Sequence, residues 1–120
     1  MVVKQLSEDG QFNAELETNA DRLVVADFFA TWCAPCQRIG PLFEQLSNGY
    51  PDVEFLKIDI DRMSATATSQ GVGSVPTFIF YLNRNKVDTI QGADPQQLES
   101  KVKEWAEKVG SAEPSPVPGQ

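Results

Sequence analysis

The 120-residue sequence contains no histidine and only two cysteines, Cys33 and Cys36. Without histidine, neither a Ser-His nor a Cys-His nucleophile pair can be assembled. A zinc site would need four ligands, and two cysteines fall short of that. Two cysteines are also too few for the disulfide framework of a small secreted scaffold. Apolar runs never exceed a few residues, far short of the ~20 that a membrane-spanning helix requires. No basic segment followed by a long apolar stretch opens the chain at Met1–Glu8. No signal peptide is therefore visible, and an intracellular, cytoplasmic domain is expected. Basic residues are scarce: 10 Lys and Arg stand against 17 Asp and Glu, a net charge of −7. Nucleic acid and anionic membranes both demand a basic surface, so neither is an expected partner. The acidic balance keeps the domain soluble and favours partners with a neutral or basic patch.

What remains is the composition of one soluble globular domain, with 41% hydrophobic and 22% charged residues. Val2–Leu6 reads as a short strand. Ser7 is placed to cap a helix that carries Phe12 and Leu16 on one face. The nearly continuous apolar run in Arg22–Phe29 predicts a central strand buried on both faces. From Cys33 to Gly49 the period is helical, with Ile39, Leu42, Phe43 and Leu46 on one side and a kink expected at Pro41. Val53–Ile60 is a second buried strand, 62–70 a short helix, and 71–76 a loop. Thr77–Leu82 and Lys86–Gln91 form a hairpin around Asn83, Arg84 and Asn85. In the last helix Asp94 is the N-cap, Pro95 fits the first turn and Gln97 takes the capping-box position. Leu98, Val102, Trp105 and Val109 make its apolar stripe, and Gly110 ends it. The order β-α-β-α-β-α-β-β-α predicts an α/β domain over residues 1–109. Its core sheet is parallel, with right-handed crossovers and an antiparallel hairpin added. Residues 110–120 are Pro-rich and polar, the composition of a disordered tail or a linker.

The chemistry concentrates at Trp32-Cys33-Ala34-Pro35-Cys36, between a buried strand and a helix. A helix N-terminus offers free N–H groups and a favourable dipole to a thiolate at Cys33. Two intervening residues make the cysteines neighbours on the first turn, able to form a disulfide. Thiol–disulfide exchange follows: an exposed Cys33 attacks a substrate disulfide, and a more buried Cys36 resolves the mixed disulfide. Three blander readings stand beside it. They are a structural disulfide (weak across so short a loop), half of a shared zinc site, and an accidental pair of core cysteines. The C-x-x-C spacing in a βαβ context favours redox work over all three. Gly71 and Gly73 do not make a nucleotide loop, because a third glycine is missing and a strand follows. Asp59 and Asp61 read as a solvated strand end before a cation site.

With the motif placed, the chain resembles the thioredoxin family. The resemblance is carried by Ala26-Asp27-Phe28-Phe29-Ala30-Thr31-Trp32-Cys33-Ala34-Pro35-Cys36, by Pro41, by Val75-Pro76-Thr77 and by Gly92. It implies the thioredoxin fold, a mixed sheet of about five strands flanked by about four helices. It further implies a protein disulfide reductase with no bound cofactor. Electrons would come from NADPH through thioredoxin reductase. The partners would be that reductase and disulfide-containing proteins, and the chain a monomer. Gln91-Gly92-Ala93-Asp94, with the tail, is similar to the thioredoxin domain of cytosolic two-domain proteins that carry a PITH domain.

Other residues take expectations from the same resemblance. Asp27 lies in an apolar strand, so burial should raise its pKa; the family's Asp assists proton transfer at the buried cysteine. A strand-end Asp capping the next turn is the alternative. Lys57 matches the lysine paired with that Asp, against the plainer reading of a solvent-facing strand lysine. Pro76 resembles the family's cis-proline, and Val75 would offer its backbone to an extended substrate. Trp32 should be a partly exposed platform beside Cys33, whereas Trp105 belongs to the core. Gly92 would let a partner backbone approach. Ala34 stands where most of the family has Gly, and Pro35 where oxidising relatives often have His; the latter points to a reductant. The competing function is a redox-sensitive partner-binding domain of a larger protein. An oxidase or isomerase of an oxidising compartment ranks third.

Overall fold

Strict alternation along one strand divides the molecule into two layers. Within Val24–Phe29, the residues Val24, Ala26 and Phe28 face one side and Val25, Asp27 and Phe29 the other, and all six are buried. The computed structural model describes residues 2–110. Its elements are β1 (Val3–Gln5), α1 (Asp9–Thr18), β2 (Val24–Phe29), α2 (Ala34–Gly49), β3 (Glu54–Asp59), α3 (Ser64–Ser69), β4 (Thr77–Leu82), β5 (Asn85–Gln91) and α4 (Pro95–Lys108). The sheet order is β1-β3-β2-β4-β5. Strands β1, β3 and β2 run parallel, and β4 and β5 antiparallel to their neighbours. On one face Phe12, Leu16 and Met63 pack with Phe28, Ile58 and Tyr81. On the other Ile39, Phe43 and Leu46 of α2, with Leu98, Val102 and Ala106 of α4, cover Val25, Phe55, Phe78 and Phe80. Phe43 meets Phe55 edge-on at 5.2 Å, a contact worth about 1 kcal/mol beyond its buried area. The thioredoxin fold expected from the sequence is the fold observed.

Local chemistry shifts several boundaries. Glu8, not Ser7, is the N-cap of α1, because Gln11 Oε1 accepts the backbone N–H groups of both Ser7 (2.7 Å) and Glu8 (3.0 Å). The α2 helix passes through Pro41 as one element of 16 residues. Trp105 is half-buried and packs against the core, as expected, while its indole N–H donates to Asp88 (2.8 Å); Ala106 beside it is fully buried. Asp94 caps α4 as expected, accepting the Gln97 N–H at 3.1 Å. Val109 closes α4, and Gly110, at φ 75, supplies the left-handed residue after it. Of the 110–120 tail reading, residues 111–120 lie outside the described residues.

Asn85 belongs to β5, pairing with Leu82, so the hairpin turn is only Asn83 (φ 53) and Arg84 (φ 68). Both centres are left-handed, which suits Asn but strains Arg. The exposed pair Arg84–Glu17, at 3.8 Å, returns little. Arg84→Gly is therefore expected to stabilise the fold by about 0.5–1 kcal/mol in urea unfolding. A loss of stability would show that the ion pair outweighs the backbone strain.

Candidate active site

The disulfide sits where β2 hands over to α2. After Phe29 the chain turns, and the Cys33 N–H donates to the Ala30 carbonyl at 3.2 Å. Cys33 is the N-cap of α2, in extended conformation, with Ala34 and Pro35 following as the first helical residues. Pro35 costs nothing there, since an N–H at that position would lack a helical partner. The Cys36 N–H donates to Cys33 Sγ at 3.1 Å, so the sulfur takes the place of a capping oxygen. The two cysteines are joined, with Cα atoms 5.3 Å apart. Burial does not separate them as expected: Cys33 is 4% exposed and Cys36 6%. Joined as a disulfide, the two cysteines cluster with Phe29 and Ala30, and Val75 and Ile60 pack against that cluster.

Exposure lies around the pair instead. Trp32 is 68% exposed, anchored by its indole N–H to Asp61 at 2.9 Å. Ala34 is exposed and Pro35 half-buried. The Val75–Pro76 peptide is cis, Pro76 is buried, and half-buried Val75 lies outside the β4 ladder. The Gly92 N–H donates to the Pro76 carbonyl at 2.9 Å, tying the two loops together. Gly92 has φ 102, and a Cβ there would meet nothing within 4 Å; the backbone conformation, not crowding, is what calls for glycine. The structure brings Trp32, Cys33, Ala34, Pro35, Cys36, Val75, Pro76 and Gly92 to one end of the sheet.

Asp27 is 1% exposed, and its Oδ1 has no hydrogen-bond partner among the described residues. Burial pushes its carboxyl up to about 7, and the nearby Lys57 charge offsets only part of that. Lys57 is the Cα partner of Asp27 across the parallel β2–β3 ladder. The expected pairing is nevertheless not made. Lys57 Nζ lies over the Phe29 ring, 4.3 Å from its centroid, and forms no ion pair among the described residues. Nor is Lys57 an edge lysine, since β3 is flanked by β1 and β2. Phe29, Ala30, Thr31, Cys36, Gln37 and Lys57 line a cleft of about 230 Å³ against the disulfide. Asp59 is buried, not solvated, and accepts the Asp61 N–H at 2.9 Å. No group of three or more Cys, Asp or Glu among the described residues is placed to hold a metal ion. No helix among them is long and apolar enough to cross a membrane.

The thioredoxin family model matches residues 2–104. The chain belongs to the thioredoxin family. It is 46% identical over 102 residues to thioredoxin-1 of Schizosaccharomyces pombe, covering 85% of this chain and 97% of that protein. Thioredoxin of Gallus gallus is 42% identical over 102 residues, covering 85% and 97%. Among solved structures, reduced Schistosoma mansoni thioredoxin aligns with a TM-score of 0.83 at 40% identity, covering 87% of this chain and 98% of that one. Oxidised Plasmodium falciparum thioredoxin aligns with a TM-score of 0.81 at 36% identity, covering 87% and 98%. Membership of the thioredoxin family, with the Cys33–Cys36 disulfide, makes the chain a thiol–disulfide oxidoreductase of the protein disulfide reductase type.

Sequence reasoning missed the partners that fix these residues. Asp61 is 29 residues from the indole it holds, and no local pattern announces such a contact. Phe29 was legible in principle: it stands two residues after Asp27 on the same strand face.

Proposed function

We propose that the domain is a cytoplasmic reductant of protein disulfides, with Cys33 as nucleophile and Cys36 as resolving thiol. The observation that carries the assignment of roles is the Cys36 N–H aimed at Cys33 Sγ at 3.1 Å. In the reduced protein that donor and the α2 N-terminus favour the thiolate on Cys33 rather than on Cys36. The Cys33 thiolate attacks one sulfur of a substrate disulfide, and the substrate S–S bond breaks. One substrate thiolate leaves and takes a proton; the other stays joined to Cys33. Cys36 gives its proton to Asp27, attacks Cys33 Sγ and expels the second substrate thiolate. The two electrons reduce the substrate, its two thiols take one proton relayed by Asp27 and one from solvent, and the Cys33–Cys36 disulfide is left. Asp27 is suited to that exchange because its carboxyl is held up to about 7. Trp32 and half-buried Val75, beside the cis Pro76, supply an apolar platform and unpaired backbone for an extended substrate segment. Gly92 and exposed Ala34 border that surface.

The reading includes monomeric action and regeneration by thioredoxin reductase with NADPH. A partner-binding role in a larger PITH-type protein rests on Gln91–Asp94 and the Pro-rich tail alone. The thioredoxins of yeast and bird, matched over nearly their whole length, favour the reductase reading. Equilibration against dithiothreitol tests it. A potential of the Cys33–Cys36 pair near −270 mV is expected for a reductant. A value near −120 mV would instead make the domain an oxidant and remove the cytoplasmic assignment.

A further inference from the structure

Lys57 has two groups within reach on its own sheet face. One is the Asp27 carboxylate, its Cα partner on β2; the other is the ring of Phe29, two residues further along β2. In a dry environment a carboxylate beside an ammonium is strongly favoured over a ring face. Yet Nζ lies 4.3 Å from the Phe29 centroid, and Asp27 Oδ1 has no hydrogen-bond partner among the described residues. The difference lies in water. Asp27 is 1% exposed, whereas half-buried Lys57 lines the cleft with Phe29, Thr31, Cys36 and Gln37. At the ring the ammonium keeps part of its hydration, which it would lose beside Asp27. The Gln37 side chain donates to the Thr31 carbonyl at 2.8 Å and ties together two residues that line the same cleft.

We propose that Phe29 is a positioning residue: its ring holds the Lys57 ammonium in the cleft beside Cys36, away from the Asp27 carboxylate, and so keeps Asp27 able to carry a proton. Few other groups act on Asp27. From β3 they are Lys57 and, two residues on, Asp59, whose Oδ1 is engaged by the Asp61 N–H. On α2, which packs on the same sheet face, stand the Cys33–Cys36 disulfide and apolar Ile39 and Phe43. From β4 the partner is Phe78, and from α4 the buried side chains are Leu98, Val102 and Ala106. Among the described residues Lys57 is therefore the one cation poised to change the ionisation of Asp27, and Phe29 decides where it stands.

The inference rests on Asp27 as the proton-transfer group only for its kinetic consequence. The test reads ionisation in the oxidised protein, where no sulfur attacks, so it can fail while the reductase reading survives, and the reverse. Carboxyl carbons of aspartate are labelled with 13C and followed by NMR against pH; Asp27→Asn assigns the Asp27 signal. In Phe29→Leu, Lys57 is freed to approach Asp27, and the titration midpoint is expected to fall by about one pH unit, a tenfold change. In Phe29→Tyr, which keeps the π face, the midpoint is expected to stay. On a Lys57→Gln background Phe29→Leu is expected to move nothing, because the cation is gone. The proposal is overturned if Phe29→Leu leaves the midpoint in place, if Phe29→Tyr lowers it as far as Leu does, or if the fall persists without Lys57.

Discussion

Asp27→Asn is expected to stabilise the oxidised protein at pH 8 by roughly 2 to 4 kcal/mol. The direction follows from proton binding. The unfolded chain releases the Asp27 proton near the ordinary 3.8, whereas the folded protein holds it to about 7. Between those values the folded state binds the extra proton, so every unit rise in pH lowers stability. The contribution is fully present below 3.8, declines through the window and is lost above 7. A gap of that width corresponds to roughly 4 kcal/mol, an upper bound because an unpartnered Asn amide carries its own burial cost. Urea unfolding at pH 8 and at pH 4 separates the contributions. The gain should be large at the higher pH and nearly absent at the lower. An equal gain at both would show that Asp27 costs stability through packing rather than charge.

Cys33→Ser is expected to bring turnover of a disulfide substrate such as insulin down to the uncatalysed background, while Cys36→Ser converts turnover into capture. The two outcomes differ because the sulfurs occupy different places. Cys33 caps α2 and gains the Cys36 N–H, so removing it removes the thiolate that attacks. Cys36 is the third residue of the helix, placed to strike Cys33 rather than an incoming chain. Without it the mixed disulfide forms and stays, at one substrate per chain, until a small thiol releases it. Mass spectrometry of the Cys36→Ser protein after exposure to substrate reads that adduct directly. Retained turnover in Cys33→Ser, or no adduct in Cys36→Ser, would reverse the assignment of the two sulfurs.

Where the sequence was legible, one physical signal dominated. The run Val24–Phe29 has no room for a solvated face, and it is the central strand, buried throughout. Asp94, Pro95 and Gln97 announced the start of α4 because capping chemistry is local. Trp32 to Cys36 announced the site because a helix start and two thiols lie within five residues. Errors arose where two groups distant in sequence compete for one partner. Lys57 had a choice between Asp27 and Phe29 that no spacing rule resolves. Trp105 keeps its place against the core, but the hydrogen bond of its indole N–H to Asp88, on β5, was not foreseen. Cys33 was expected to be the exposed sulfur, but its cover comes partly from Val75, brought back by the β4 loop from 42 residues along the chain.

The register of the strands gives the molecule two poles. Phe29 and Asp59 end their strands at the pole where Thr77 begins β4 and pairs with Gln91. The disulfide, the cis Val75–Pro76 peptide and Gly92 all gather there. Helix α4 starts at that pole with Pro95 and runs back over about 21 Å, the length of its 14 residues. Its last turn lies beside Tyr50, at the far end of α2. A tether, label or solid support joined after Gly110 therefore departs from the pole opposite the sulfurs. Immobilised in that orientation, the domain presents its entire redox end to solution.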